Sequence, residues 1–187
     1  QFACRQEHIP EIGDYFVYDI GRHSILVVRV AENEIKAYHN SCMHRGTKLK
    51  PSETSGNSVE IQCPFHGWTY QLDGTLGEVP CSWEFPHLDY DANHLVEVQA
   101  DAWNSLVFIN MDLEAGPLLD FLEVLPDHCK DWQLGDWYIS AHARKELNCN
   151  WKAVQEAFIE AYHTRMVHPQ YMAVSGDVNQ KHDIFGD

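Results

Sequence analysis

Two short stretches carry the residue types best suited to chemistry: Cys42-Met43-His44-Arg45-Gly46 and Cys63-Pro64-Phe65-His66-Gly67-Trp68. Each offers one thiolate and one imidazole, as C-x-H and then C-x2-H, with eighteen residues between His44 and Cys63. Cys and His in this order suit zinc, which accepts Cys2His2 sets, or a two-iron cluster with two Cys on one iron and two His on the other. Zinc fingers usually pair like ligands, C-x2-4-C and then H-x3-5-H. Here each loop mixes the two types, which favours a cluster gripped from both sides; zinc or no metal are the alternatives. Gly46 and Gly67 allow positive φ beside a ligand, where backbone must come close to sulfide. Pro64 removes one backbone donor and stiffens its loop.

A second constellation lies further along. Asn150 suits an N-cap, and the apolar pattern after it predicts a helix over 151–166. At about 100° per residue, Glu156, Glu160 and His163 fall on one face, within about 60° of arc. Trp151, Val154, Phe158, Ala161 and Tyr162 fall on the other, which is expected to pack. Two carboxylates at i,i+4 repel, and a cation or a hydrogen-bond network would remove that cost. A solvated polar face is the plain alternative. His168 stands before Pro169, so it is pushed out of the α region and the chain bends there. That bend lets His168 swing back toward His163.

The elements that must carry the first pair of loops read as β-structure. Asp14 to Ile20, Ser24 to Val30 and Glu34 to Asn40 predict three short strands, turning at Gly21-Arg22 and Glu32-Asn33. Ser58 to Gln62 predicts a strand delivering Cys63. Asp73-Gly74 is a hairpin signal between Trp68 to Leu72 and Thr75 to Val79. Leu95 to Ala100 and Leu106 to Asn110 add two more. Thr54-Ser55-Gly56-Asn57 reads as a turn between the ligand loops. Glu114 to Pro117 marks a boundary. Pro117 opens a short helix through Leu118 to Leu122 that ends before Pro126. Trp137 to Leu147 reads as one long strand.

At 187 residues the chain holds one sound core and part of another. A formal net charge of −15 argues against nucleic acid and anionic membranes as partners. It is compatible with a basic electron-transfer partner. Cys4, Cys81, Cys129 and Cys149 show no disulfide-framework spacing, and read as small hydrophobes in a reducing compartment. No stretch has the length of a transmembrane helix, and no basic-then-apolar leader opens the chain. The start at Gln1 without Met and the end at Asp187 look cut, so the lack of a leader here is not an expectation that the protein lacks one. His8, His23, His39, His87, His94, His128, His142 and His182 have no partners at ligand spacing.

The sequences His44-Arg45-Gly46 and Cys63-Pro64-Phe65-His66-Gly67-Trp68 resemble the cluster loops of Rieske oxygenases. The run from Asn150-Trp151-Lys152 through Glu160-Ala161-Tyr162-His163 to His168-Pro169 is similar to the mononuclear-iron motif of that family, D-x2-H-x4-H, with Glu160 in place of Asp. The resemblance implies the α (terminal oxygenase) subunit of an aromatic-ring-hydroxylating enzyme. Its implied fold is mainly β: a Rieske domain of short antiparallel sheets at 1–115, then the α+β beginning of a helix-grip-like catalytic domain at 116–187. Cys42, His44, Cys63 and His66 would hold a [2Fe–2S] cluster, and His163 and His168 a mononuclear Fe(II) as part of a 2-His-1-carboxylate triad. Glu160 would relay the electron between the two, across a subunit boundary.

The family's third iron ligand is an Asp far downstream. Asp177, Asp183 and Asp187 lie too near to match it, so the ligand is expected outside this sequence and the chain alone is expected to be inactive. The implied partners are a flavin reductase or ferredoxin fed by NAD(P)H, O2 and a small organic substrate. The implied assembly is a homotrimer or α3β3, and the implied setting is cytoplasmic aromatic-hydrocarbon catabolism. A monooxygenase or demethylase is the near rival. A stand-alone Rieske electron carrier is the rival of a different class, and His163 with His168 argues against it. High-potential Rieske proteins carry a disulfide and a Ser where this chain has Thr47, Phe65 and Trp68. Fewer hydrogen bonds to sulfur imply a low potential, about −150 mV.

Overall fold

A computed structural model describes residues 1–174 of the chain. These fall into two compact units, one over Gln1–Tyr138 and one beginning at Ile139.

The first unit is built on a seven-stranded antiparallel sheet. Its strands are β1 (Phe2–Arg5), β2 (Asp14–Ile20), β3 (His23–Ala31), β4 (Glu34–His39), β5 (Ser55–Asn57), β9 (Glu97–Trp103) and β10 (Leu106–Asn110). Their order is β1-β10-β9-β4-β3-β2-β5. A second sheet holds β6 (Ile61–Gln62), β7 (Thr69–Tyr70) and β8 (Leu76–Glu78), in that order. The period-2 pattern of β3 explains how one strand serves two cores. Leu26 and Val28 join Val17, Tyr38, Leu49, Ile61, Tyr70 and Leu76 in one cluster. Ile25 and Val27 join Cys4, Ile9, Ala37, Val98, Val107 and Ile109 in the other. The first cluster also contains Cys42 and Cys63, so both candidate thiols sit within an apolar core.

Several expected elements are redrawn. Residues 55–57 form β5, not a turn: Phe16 pairs with Ser55, Tyr15 with Gly56 and Asp14 with Asn57. A Cβ on Gly56 would lie 3.0 Å from the Tyr15 hydroxyl, so β5 runs close against the Tyr15 side chain. The strand before Cys63 shrinks to Ile61–Gln62. Strand β1, which pairs with β10, carried no sequence signal beyond four residues. Helix α1 (Leu118–Leu122) forms as expected, but Pro126 then sits in the first turn of a further helix, α2 (Leu125–His128). Proline lacks only an N–H that the first turn leaves unpaired anyway.

The stretch 137–147, expected as one long strand, is not a strand. A strand needs a ladder partner, and none pairs with it among the described residues. The expected helix 151–166 is two helices, α3 (Trp151–Phe158) and α4 (Thr164–Val167). Asn150 does cap α3, its side chain accepting the Lys152 N–H. The apolar side expected to pack is open instead: Trp151, Phe158 and Tyr162 are all exposed. No helix of the described residues is long and apolar enough to cross a membrane.

Candidate metal centres

The two ligand loops repeat one backbone device. In each, the Gly N–H donates to the carbonyl of the Cys four residues before it: Gly46 to Cys42 at 2.8 Å and Gly67 to Cys63 at 3.1 Å. In each, the Cys N–H donates to the carbonyl five residues ahead: Cys42 to Thr47 at 2.9 Å and Cys63 to Trp68 at 2.8 Å. Both glycines adopt positive φ, 73° and 74°. The second loop is the connection between β6 and β7. The first follows β4 and is closed by Asn40, which the sequence reading did not single out. Buried Asn40 accepts the N–H groups of Leu49 and Lys50 and donates to the Lys50 carbonyl and to Ser24 Oγ. We expect Asn40→Ala to lower stability by about 2–4 kcal/mol, because several bonds go at once and a buried N–H loses its acceptor. Urea unfolding of the two proteins checks this.

The four candidate ligands stand as two unlike pairs. Cys42 and Cys63 are buried in one apolar cluster, and Cys63 is near enough to raise the Cys42 thiol. The rings of His44 and His66 lie 4.7 Å apart, inclined at 62°. His44 is half-buried and His66 exposed. Among the described residues, no three His, Cys, Asp or Glu side chains converge on one metal-sized point. A lone structural zinc wants four converging donors. A sulfur pair beside a nitrogen pair is what a cluster with two distinct irons requires, and the donor set fits that group.

Burial pushes the Cys42 thiol up, and the neighbouring Cys63 adds to this; hydrogen bonds from Tyr70 and from the His44 backbone oppose it. Binding metal at Cys42 would therefore release a proton. His44 is held below the ordinary His range, mainly by burial and then by His66 and Arg45, which keeps its ring neutral as a ligand must be.

Tyr70 is a second residue that motif reading missed. Its hydroxyl accepts the Met43 N–H at 3.0 Å and lies 3.3 Å from Cys42 Sγ. With the backbone donor occupying the oxygen, the phenolic proton is free for the sulfur. The signal available in the sequence was its place two residues after Trp68, in a strand whose inward side must face the first loop. A donor to sulfur stabilises the reduced form. We expect Tyr70→Phe to lower the midpoint potential by roughly 40 mV, the equivalent of about 1 kcal/mol for one electron. Redox titration of the loaded protein checks this.

The second constellation is compact. Helix α3 ends at Phe158, and Glu160 folds back onto His163. Glu160 Oε1 lies 2.5 Å from His163 Nδ1, and Glu160 Oε2 accepts the His163 N–H at 3.1 Å. The hydrogen bond from His163 holds the Glu160 carboxyl below its ordinary range, so it is an acceptor at neutral pH. An ionised acceptor keeps the imidazole proton on Nδ1 and leaves Nε2 as a lone-pair donor. His163 and His168 flank the short helix α4 as its N- and C-caps. Their ring centroids are 5.4 Å apart. His168, at φ −130°, has left the helix ahead of Pro169, as the proline requires. Glu156 stays on α3 and is exposed. Asp177, Asp183, Asp187 and His182 lie outside the described residues.

Comparison with known proteins divides the chain along the same two constellations. Residues 1–89 match the family model of the Rieske [2Fe-2S] domain. Residues 133–186 match that of the ring hydroxylating alpha subunit, catalytic domain. The chain is 31% identical over 166 residues to the glycine betaine monooxygenase oxygenase subunit of Pseudomonas aeruginosa, covering 88% of this chain and 38% of that one. It is 28% identical over 195 residues to the anthranilate 1,2-dioxygenase large subunit of Acinetobacter baylyi, covering 100% and 41%. A crystal structure of a quaternary ammonium Rieske monooxygenase in complex with L-carnitine superposes with a TM-score of 0.86 at 25% identity, covering 93% of this chain and 50% of that one. The chain thus spans less than half the length of these two curated relatives.

Proposed function

Because the chain belongs to the Rieske oxygenase α-subunit family, we propose that it carries the electron-receiving half and the opening of the oxygen-activating half of a terminal oxygenase. The observation that supports this most is the pairing itself: buried thiols beside facing imidazoles in one unit, and a carboxylate-oriented His pair in the next. We assign Cys42, His44, Cys63 and His66 to a [2Fe–2S] cluster, within a domain over 1–115. We assign His163 and His168 to a mononuclear Fe(II), in the catalytic domain that opens at 116. When bound, these groups supply one-electron storage and O2 activation.

The chain's own residues then have separable tasks. Cys42 and Cys63 give up their protons to bind. His44 is kept neutral by burial. Tyr70 holds Cys42 through its hydroxyl. Glu160 holds the proton of His163 at Nδ1, orients that ring, and is our candidate for the relay between the two centres across a subunit boundary. In the whole protein, NAD(P)H electrons would arrive through a flavin reductase or ferredoxin, in a cytoplasmic homotrimer or α3β3 assembly.

Two substrate classes follow from two observations. An aromatic or similar ring substrate fits the catalytic-domain match and the anthranilate 1,2-dioxygenase relative. A quaternary ammonium substrate fits the glycine betaine monooxygenase relative and the carnitine-bound neighbour. The test is turnover of the whole protein with reductase, NAD(P)H and labelled O2, offered aromatic acids, arenes, glycine betaine and carnitine. In a dioxygenation, one O2, two electrons and two protons place both oxygen atoms in the product. In a monooxygenation, one atom enters the product and the other leaves as water. Reductase-dependent NAD(P)H oxidation without label in any organic product would reject the oxygenase assignment.

A further inference from the structure

The two candidate imidazoles are not equivalent in their surroundings. Trp68 stacks on His44 almost in parallel, with centroids 4.9 Å apart and planes inclined by 9°. Phe85 closes the corner, its ring edge-on to both: 6.4 Å and 79° to His44, 6.4 Å and 87° to Trp68. Trp68 is only 4% exposed. Among the described residues, His66 has no such wall; its nearest ring is Phe65, from its own loop, at 3.9 Å and 58% exposed.

Resting on the cluster assignment above, we propose that Trp68, backed by Phe85, is a positioning residue that fixes the plane of the His44 imidazole and keeps water off the His44 side of the cluster. Trp68 is well placed for this. Its carbonyl accepts the Cys63 N–H, so the indole is anchored by the same loop that presents a thiol. A Cβ on the preceding Gly67 would lie 3.1 Å from Pro80 Cγ, so the loop bears closely on the chain that leads to Phe85. The stack therefore couples the second loop's backbone to the first loop's imidazole, a link that no hydrogen bond among the candidate ligands supplies. A ligand ring held in one plane keeps one orbital overlap with its metal. The dry aromatic side has an electrostatic consequence as well. Reduction adds a negative charge, and apolar rings solvate that charge less than water does. The wall thus holds the potential low, while Tyr70 on the sulfur side raises it.

The test compares Trp68→Leu, Trp68→Phe and Phe85→Leu with the parent protein, reading iron and sulfide content, midpoint potential, and the histidine nitrogen couplings of the reduced form by pulsed EPR. Trp68→Leu is expected to keep its cluster, shift the couplings of one histidine and move the potential upward. Trp68→Phe restores a flat ring and is expected to return both toward the parent values. Phe85→Leu is expected to shift the potential in the same direction by less. A loaded Trp68→Leu protein with parent couplings and parent potential would overturn the proposal and leave the cluster assignment standing. If Trp68→Leu does not fold, Phe85→Leu decides the matter alone, and an unchanged potential there overturns it. A parent protein without iron and sulfide would instead remove the cluster assignment itself.

Discussion

Replacing His44 with Ala is expected to strip the protein of its visible chromophore while leaving it folded. Each loop contributes one thiol and one imidazole, so removing His44 leaves one iron with a single protein nitrogen. Among the described residues no third His, Cys, Asp or Glu converges there to take its place. The remaining ring, His66, is exposed, with Phe65 of its own loop beside it. Occupancy should fall by at least roughly tenfold, the scale on which losing even an outer-shell partner weakens a metal site. The fold should survive because the core beneath is built from strand residues such as Val17, Leu26, Val28, Tyr38, Ile61 and Leu76, which lie outside the ligand loops. His44 is half-buried and carries no strand pairing. Absorption spectra, iron and sulfide assays, and circular dichroism of the variant check both halves of the expectation. A variant with the parent spectrum would withdraw His44 from the ligand set.

The second large effect is expected at Glu160. In the whole protein, Glu160→Gln should slow turnover by about 10–100-fold while both metal contents stay near the parent values. The carboxylate takes two hydrogen bonds from His163, one from the ring and one from the backbone. The ring bond decides which imidazole nitrogen carries the proton. Gln keeps the shape and can still accept, but it gives up the charge that makes this bond strong. Loss of charge should therefore weaken the orientation of His163 and the relay we assign to it, without removing a ligand. Because Glu160 is held below its ordinary range, the parent contact is present at neutral pH and lost as the pH falls through that lowered value. The amide variant has no such titration. Full turnover in Glu160→Gln would remove the relay role.

The candidate residues of both constellations stood out in the sequence because potential metal ligands are picked out by type and spacing, which survive any error in secondary structure. The strands Asp14–Ile20 and Leu106–Asn110 were legible because alternation and turn residues agree there. Three things were not. The strand at 55–57 hides in turn-forming residues, and only its pairing with β2, with Gly56 packed close to Tyr15, makes it a strand. The segment 137–147 has strand-like composition, yet composition supplies no ladder partner. The helix expected through residue 166 stops at Phe158, because the Glu160 side chain takes the His163 backbone N–H that an unbroken helix would have used. Asn40, Tyr70 and the Trp68–Phe85 wall were missed for a shared reason. Tyr70 and the wall act on a ligand loop distant from them in the chain, and Asn40 acts through bonds across its own loop; neither kind of contact has a spacing signature.

The most direct test of the central assignment is to purify the chain anaerobically, assay iron and acid-labile sulfide, and record the EPR spectrum after reduction with dithionite. We expect two irons and two sulfides in the Rieske unit, with a spectrum carrying couplings to two histidine nitrogens. A colourless protein holding a single zinc ion and no sulfide would contradict it.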